Sequence, residues 1–197
     1  TKADAIWHSK AKAPRTATVK AQPPKGAPLS TLPAFIEPAL CRLVDKPPSG
    51  PLWAHEIKFD GYRMQVRVEK GKAQLRTRTG LDWTAQFKAI AQDAARLPDA
   101  ILDGEVCALD AKGNPNFSAL QTALSEGDSA DLVFFAFDLL ASEGEDLRAL
   151  PLRERKARLE ALLRRHGEHL RYARHFETGG DAAFEAAKNA GLEGIVS

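Results

Sequence analysis

The chain has 197 residues, 44% of them hydrophobic and 27% charged, with a net charge of +2, ordinary figures for a folded domain with its own core. No apolar run approaches bilayer length, no signal-peptide core opens the chain, and Cys41 and Cys107 fit no metal spacing or disulfide framework, which leaves free thiols in a reducing cytosol as their reading. Residues 1–30 hold +5 and the rest −3, so nucleic-acid binding cannot rest on bulk charge and needs a local cluster of Lys and Arg.

Residues 1–30 are rich in Ala, Lys, Pro and Thr, and Pro14, Pro23, Pro24 and Pro28 break any regular element. They read as a flexible basic linker, with an arm lying along the domain or along nucleic acid as the alternative. Leu32 to Gly50 shows no period and closes in the turn Lys46-Pro47-Pro48-Ser49-Gly50. Leu52 to Asp60 then alternates as a strand. After Gly61 a second strand, Tyr62–Val68, puts Tyr62, Met64, Val66 and Val68 on one face, and a third follows the Lys70-Gly71 turn over Ala73–Thr79. Helical spacing covers Asp82–Leu97 and stops at Pro98. Ala100–Leu109 reads as a strand, Phe117–Ser125 as a short helix, and Leu132–Leu140 as a strand buried on both faces. Leu152–His166 is an amphipathic helix started by Pro151, with Leu152, Leu159, Leu162 and Leu163 inward and five arginines outward on a solvated face. Asp181–Asn189 is a helix closed by Gly191, and Ile195-Val196-Ser197 opens a last strand. The order predicts an α+β fold with mixed, largely antiparallel sheets and packed helices.

Period two puts Glu56, Lys58 and Asp60 on one strand face and Ile57 and Phe59 on the other. On pattern alone, three charges in a row fit a solvated strand as well as a site. Arg76 with Arg78, and Asp103 with Glu105, also share faces that could be plain surface, and Phe134, Phe135 and Phe137 are core by residue type.

The residues Lys58-Phe59-Asp60-Gly61-Tyr62-Arg63 match the Lys-x-Asp-Gly-x-Arg signature of the covalent nucleotidyltransferases, and four further segments follow in that family's order. These are Thr77-Arg78-Thr79-Gly80, Asp103-Gly104-Glu105, Phe135-Ala136-Phe137-Asp138 and Glu193-Gly194-Ile195-Val196. Together with Leu32-Pro33, Pro47-Pro48 and Trp53-Ala54-His55-Glu56, they resemble the adenylation domain of ATP-dependent DNA ligases, in particular the bacterial non-homologous end-joining ligases. The resemblance covers Leu32 to Ser197. It implies a flexible linker over 1–30 and an adenylation domain over 31–197 that stops inside its fourth motif, short of the last lysine motif and the oligonucleotide-binding barrel.

It implies that Lys58 accepts AMP from ATP, and that Glu56, Ile57, Arg63, Arg78, Glu105 and Phe137 contact the nucleotide. Asp60, Glu105 and Glu193 would face Mg²⁺ or Mn²⁺. The chemistry needs such help, because a free lysine is only about 0.04% neutral at pH 7 and neutralising it costs on the order of 4.6 kcal/mol. Neighbouring carboxylates favour the ammonium, and a divalent cation offsets them. The implied substrate is broken or nicked DNA, the implied partner a Ku-like end-binding protein, and the implied setting a longer repair protein in the bacterial cytoplasm at the nucleoid. Two alternatives remain open at this point: an RNA ligase or capping-type nucleotidyltransferase, and a catalytically incomplete DNA- or protein-binding fragment.

Overall fold

A computed structural model describes residues 25–164, 166–177 and 179–197. Most of the expected linker, residues 1–24, lies outside the described residues, as does Arg165 of the arginine row. Residues 25–30 are described, and Ala27–Pro28 form a short strand, β1.

The elements then run β2 (His55–Ile57), β3 (Tyr62–Glu69), β4 (Lys72–Thr77), a 3₁₀ turn (Thr84–Gln86), α1 (Lys88–Ala94), β5 (Ala100–Cys107) and α2 (Phe117–Glu126). After them come β6 (Val133–Ser142), β7 (Glu145–Asp146), α3 (Leu152–Leu163), β8 (Leu170–Tyr172), β9 (His175–Phe176), α4 (Gly180–Asn189) and β10 (Ile195–Val196). The strands form two sheets. The larger has the order β1-β7-β6-β5-β3-β4 with β8 added beside β6; the smaller is β10-β2-β9. Every pairing is antiparallel except β6 with β8. The expected α+β architecture is therefore the observed one. No helix among the described residues is long and apolar enough to cross a membrane.

Alternation in β3 works as the sequence suggests. Met64, Val66 and Val68 are buried, and with Leu75, Leu102, Val106, Phe134 and Ala136 they pack under Phe87 and Ile90, Leu120 of α2, and Leu159 and Leu163 of α3. The odd-numbered residues of β3 face the other way and pin an incoming segment. Gln65 brackets Ile36, accepting from its N–H at 3.0 Å and donating to its carbonyl at 2.7 Å. Arg67 donates to the carbonyls of Pro33 and Leu32, and Arg63 to that of Ala39. This explains how a segment without period, Leu32–Ala39, holds a fixed course: polar side chains of a strand saturate its carbonyls.

Some expected boundaries move for local reasons. The strand expected over Leu52–Asp60 is reduced to His55–Ile57, because beyond it the chain crosses from the small sheet to the large one. At the crossing, Gly61 backs directly onto the carbonyl of Val106, where a Cβ would collide. Helix α2 keeps its expected place, with the Asn116 side chain accepting from Ala119 N–H and Gly127 closing it at φ 72°. In α3, Leu152 is exposed rather than inward; Leu159 and Leu163 are buried and Leu162 packs partly buried against the core as expected, and Lys156 joins them inside.

Candidate active site

Lys58 lies at the exit of β2. Its N–H donates to Gly194 O at 2.9 Å, and Ile57 and Glu56 pair with Ile195 and Val196. The first and last sequence motifs are thus hydrogen-bonded neighbours, although 135 residues separate Lys58 from Glu193. The Lys58 ammonium donates to Glu193 Oε1, and both side chains are nearly half exposed. Phe59 stacks on Phe135 of the large sheet at 4.4 Å between centroids and 20° between planes. That contact, with the close approach at Gly61, fixes how Lys58 sits against the large sheet.

On the large sheet, a cross-strand row runs Arg63, Glu105, Phe135, Arg171 over β3, β5, β6 and β8. Arg63 grips Asp103 with two bonds, Nε to Oδ1 at 3.1 Å and Nη2 to Oδ2 at 2.8 Å. Its guanidinium also lies 5.3 Å from the centre of the Phe137 ring. Phe137 shares the face of Phe135 by simple alternation, and a bulge at Phe137 brings Asp138 to that face as well. Asp103 pairs with Asp138 and Gly104 with Ala136, so Phe137 is the extra residue between them. Without that insertion, strict alternation would turn Asp138 into the core beside Phe134 and Ala136. With it, Asp138 faces the same side as Phe135 and is held by Arg155, Nε to Oδ1 at 2.8 Å and Nη2 to Oδ2 at 2.9 Å. Gly104 lies opposite the bulge because Phe134 and the Phe135 carbonyl leave no room for a Cβ. Arg78 is exposed in the turn after β4 and lines a narrow crevice with Phe35, Pro38, Arg63 and Asp103.

Four of the expected groups, Lys58, Asp60, Arg63 and Glu105, therefore act on one another, and Asp103, which was not expected at the site, joins them. The Glu105 carboxyl is pushed up to about 8, first by burial and then by Asp103 and Asp60, against the opposing pull of Arg63 and Lys58. The three carboxylates expected at a metal are not gathered into one cage. No group of three or more His, Cys, Asp or Glu side chains placed to hold an ion occurs among the described residues. Glu193 sits at the rim, spent on Lys58, while Glu105 lies deeper beside Arg63. Glu56 also stands apart. It is paired with Lys156, whose ammonium is fully buried, at 2.7 Å. Ile57 is occupied by its ladder with Ile195.

Sequence reasoning missed Lys156 and misplaced Arg155, which was expected on the solvated face but is mostly buried against Asp138. The signal for Lys156 was present: Lys156, Leu159 and Leu163 recur at three and four residues, which is the spacing of one helix face. Two further arginines of the row pair with acids, Arg153 with Glu177 and Arg158 with Glu145.

The ATP dependent DNA ligase domain family matches residues 40–197. The multifunctional non-homologous end joining protein LigD of Pseudomonas aeruginosa is 42% identical over 168 residues, covering 84% of this chain and 20% of that protein. The LigD of Mycobacterium tuberculosis is 35% identical over 148 residues, 74% of this chain and 19% of the relative. This chain thus spans about a fifth of the length of these relatives. Among solved structures, the ligase domain of M. tuberculosis LigD superposes with a TM-score of 0.62 at 36% identity, covering 73% of this chain and 47% of that one. A mycobacterial DNA ligase D complexed with ATP and MES gives 0.62 at 32% identity, over 76% of this chain and 51% of that one. On the family match and on two structural matches well above 25% identity, this chain belongs to the ATP-dependent DNA ligase domain family and shares the nucleotidyltransferase fold of the LigD ligase domain.

Proposed function

We propose that the chain is the adenylation module of a DNA ligase that joins 5′-phosphate and 3′-hydroxyl ends in break repair, with Lys58 as the residue that takes AMP. The observation that supports this reading is that Lys58, hydrogen-bonded to Gly194 and Glu193, is set by the Phe59–Phe135 stack against the sheet that carries Arg63, Asp103 and Glu105. Lys58 Nζ attacks the α-phosphorus of ATP. An N–P bond forms, the bond to the pyrophosphate oxygen breaks, and the amine loses a proton. AMP then moves to a 5′-phosphate, and a 3′-hydroxyl displaces it to seal the strand. Arg63 and Arg78 are the cations assigned to ribose and phosphate, Phe137 offers a ring for the purine, and Glu56, Ile57 and Glu105 complete the nucleotide contacts.

The donor chemistry of the site fits Mg²⁺ or Mn²⁺. Glu105 is a buried carboxyl with two acidic neighbours and too little positive charge to keep it ionised at neutral pH. Hard cations of this kind commonly use one or two carboxylates, with phosphate oxygens and water as the other ligands, so a three-acid cage is not required. Asp60, Glu105 and Glu193 are the oxygen donors available, and a bound cation supplies charge neutralisation for the phosphates. We infer the wider setting from the family resemblance: DNA ends as substrate, a Ku-like partner, further repair domains in a longer chain, and the nucleoid of a bacterial cytoplasm.

The test is incubation with α-labelled ATP and Mg²⁺ or Mn²⁺, then a denaturing gel. The wild-type chain should retain label, and Lys58→Ala should retain none, since a covalent adduct needs the amine. Lys58→Arg should also stay unlabelled, because guanidinium does not give up its proton. Label that survives in Lys58→Ala removes the assignment.

A further inference from the structure

Helix α3 turns one ammonium into the interior, and the adenylation step as described above does not use it. Lys156 has no solvent exposure. Its Nζ donates to Glu56 Oε1 at 2.7 Å, to Phe137 O at 3.1 Å and to Ala173 O at 3.0 Å, and it lies 4.9 Å from the centre of the Tyr172 ring. An ammonium has three protons, so these acceptors saturate it. Two of the three belong to residues expected to contact the nucleotide, Glu56 and Phe137, the latter through the purine ring. One buried charge therefore ties β2 to the bulge of β6.

The second oxygen of Glu56, Oε2, accepts no hydrogen bond from the described residues, and its side chain keeps 15% exposure. What remains is a single open, anionic acceptor, fixed beside the backbone of Phe137. Such an acceptor attracts an exocyclic amino group, as acidic side chains do with the amino group of cytosine, and repels a carbonyl oxygen in the same place. We propose that Lys156 is a positioning residue that holds the Glu56 carboxylate in place so that the site accepts a purine with a 6-amino group and rejects its 6-oxo analogue. The inference rests on the nucleotide site proposed above. Its chemical logic is that burial is the dominant influence on Glu56 and raises its pKa, while Lys156 opposes this. Deprived of the ammonium, Glu56 holds a proton more readily, and a protonated carboxyl can donate to a 6-oxo group as well as accept from an amine.

ATP and ITP, which differ at that purine position, are titrated by calorimetry into three proteins: the wild-type chain, Lys156→Met, and Lys156→Met combined with Glu56→Gln. Wild type should prefer ATP by about tenfold or more, and both variants should fall to about threefold or less, chiefly by losing ATP affinity. The double variant has no uncompensated charge and carries the test if Lys156→Met alone does not fold. The inference is overturned if a folded variant keeps the wild-type ratio, or if it loses both nucleotides equally. It is also overturned if the double variant fails to fold, which assigns Lys156 to the scaffold. Wild type that binds both nucleotides without preference overturns it too and leaves the adenylation reading standing. Wild type that binds neither removes that reading itself.

Discussion

The charges around Lys58 differ in how firmly they are held, and this decides what each can do. The Lys58–Glu193 pair is nearly half exposed on both sides, and such pairs contribute about 0–1 kcal/mol, so a phosphate or cation can separate them at little cost. Arg63 is less free. Its bidentate grip on Asp103, itself almost buried, presets the guanidinium beside Phe137. Glu105 is the frustrated member of the group. Its carboxyl rises from 4.5 to about 8, mainly through burial. Between those values the folded chain keeps a proton that the unfolded chain has released. Unfolding then releases the proton, so stability falls as pH rises through this window and the loss levels off above about 8. The effect is on the order of a few kcal/mol. Glu56 and Asp103 are also raised by burial and act in the same direction, so Glu105→Gln should flatten the decline without abolishing it. Thermal midpoints of the ligand-free proteins at pH 5 and pH 8 measure this. An equal decline in wild type and Glu105→Gln would show that Glu105 is not the strained group.

At the scale of elements, the β5–β6 pairing shapes the site, and its bulge has a glycine opposite. A Cβ on Gly104 would meet the Phe134 ring and sit 2.5 Å from the Phe135 carbonyl. The ring is fully buried in the core, and the carbonyl belongs to the ladder. Gly104→Ala should therefore destabilise by about 3 kcal/mol, at the upper end for overpacking, and lower the thermal midpoint by roughly 6–12 °C. Gly113→Ala is the control. Its φ of 83° is strained for alanine, but no atom lies within 4 Å, so about 1–2 kcal/mol is expected. Equal losses in the two variants would show that the close approach at Gly104 is relieved by motion. The same strand pair marks the boundary of what the sequence reveals. Period two identified β3, a continuous apolar run marked β6, and the five motifs supplied the candidate site residues in order. A bulge has no period of its own, so alternation puts Phe137 on the face of Phe135 but could not say that Asp138 joins it. Strands such as β7 and β9, two residues long, carry too few positions for any period. They exist because a neighbour offers them a ladder. Lys156 was legible by spacing and was passed over by residue type, since a lysine on an apolar stripe is rarely buried without a partner. That partner, Glu56, lies 100 residues away.

At the scale of the whole molecule, the two sheets differ in how deeply they are built. The large one rests on β3 and β5, eight residues each and paired on both sides, over a continuous core. The small one has strands of two or three residues, and its central strand leads directly to Lys58. Opening free energies follow the depth of such networks, from nearly zero in short exposed ladders to the global value in core strands. The amine therefore sits on the more yielding layer, against a rigid face that holds Arg63, Glu105 and Phe137. A ligand bound between the two layers stabilises the contacts it bridges. Amide hydrogen exchange should show slow protons over Met64–Val68 and Leu102–Val106, and fast ones at Glu56–Lys58 and Ile195–Val196. Addition of ATP should slow the second set by about tenfold or more, corresponding to at least about 1.4 kcal/mol of added local stability, with little change in the first. Protection that rises uniformly over both sheets would mean that they open as one unit, and that the yielding layer is not separate from the rigid face.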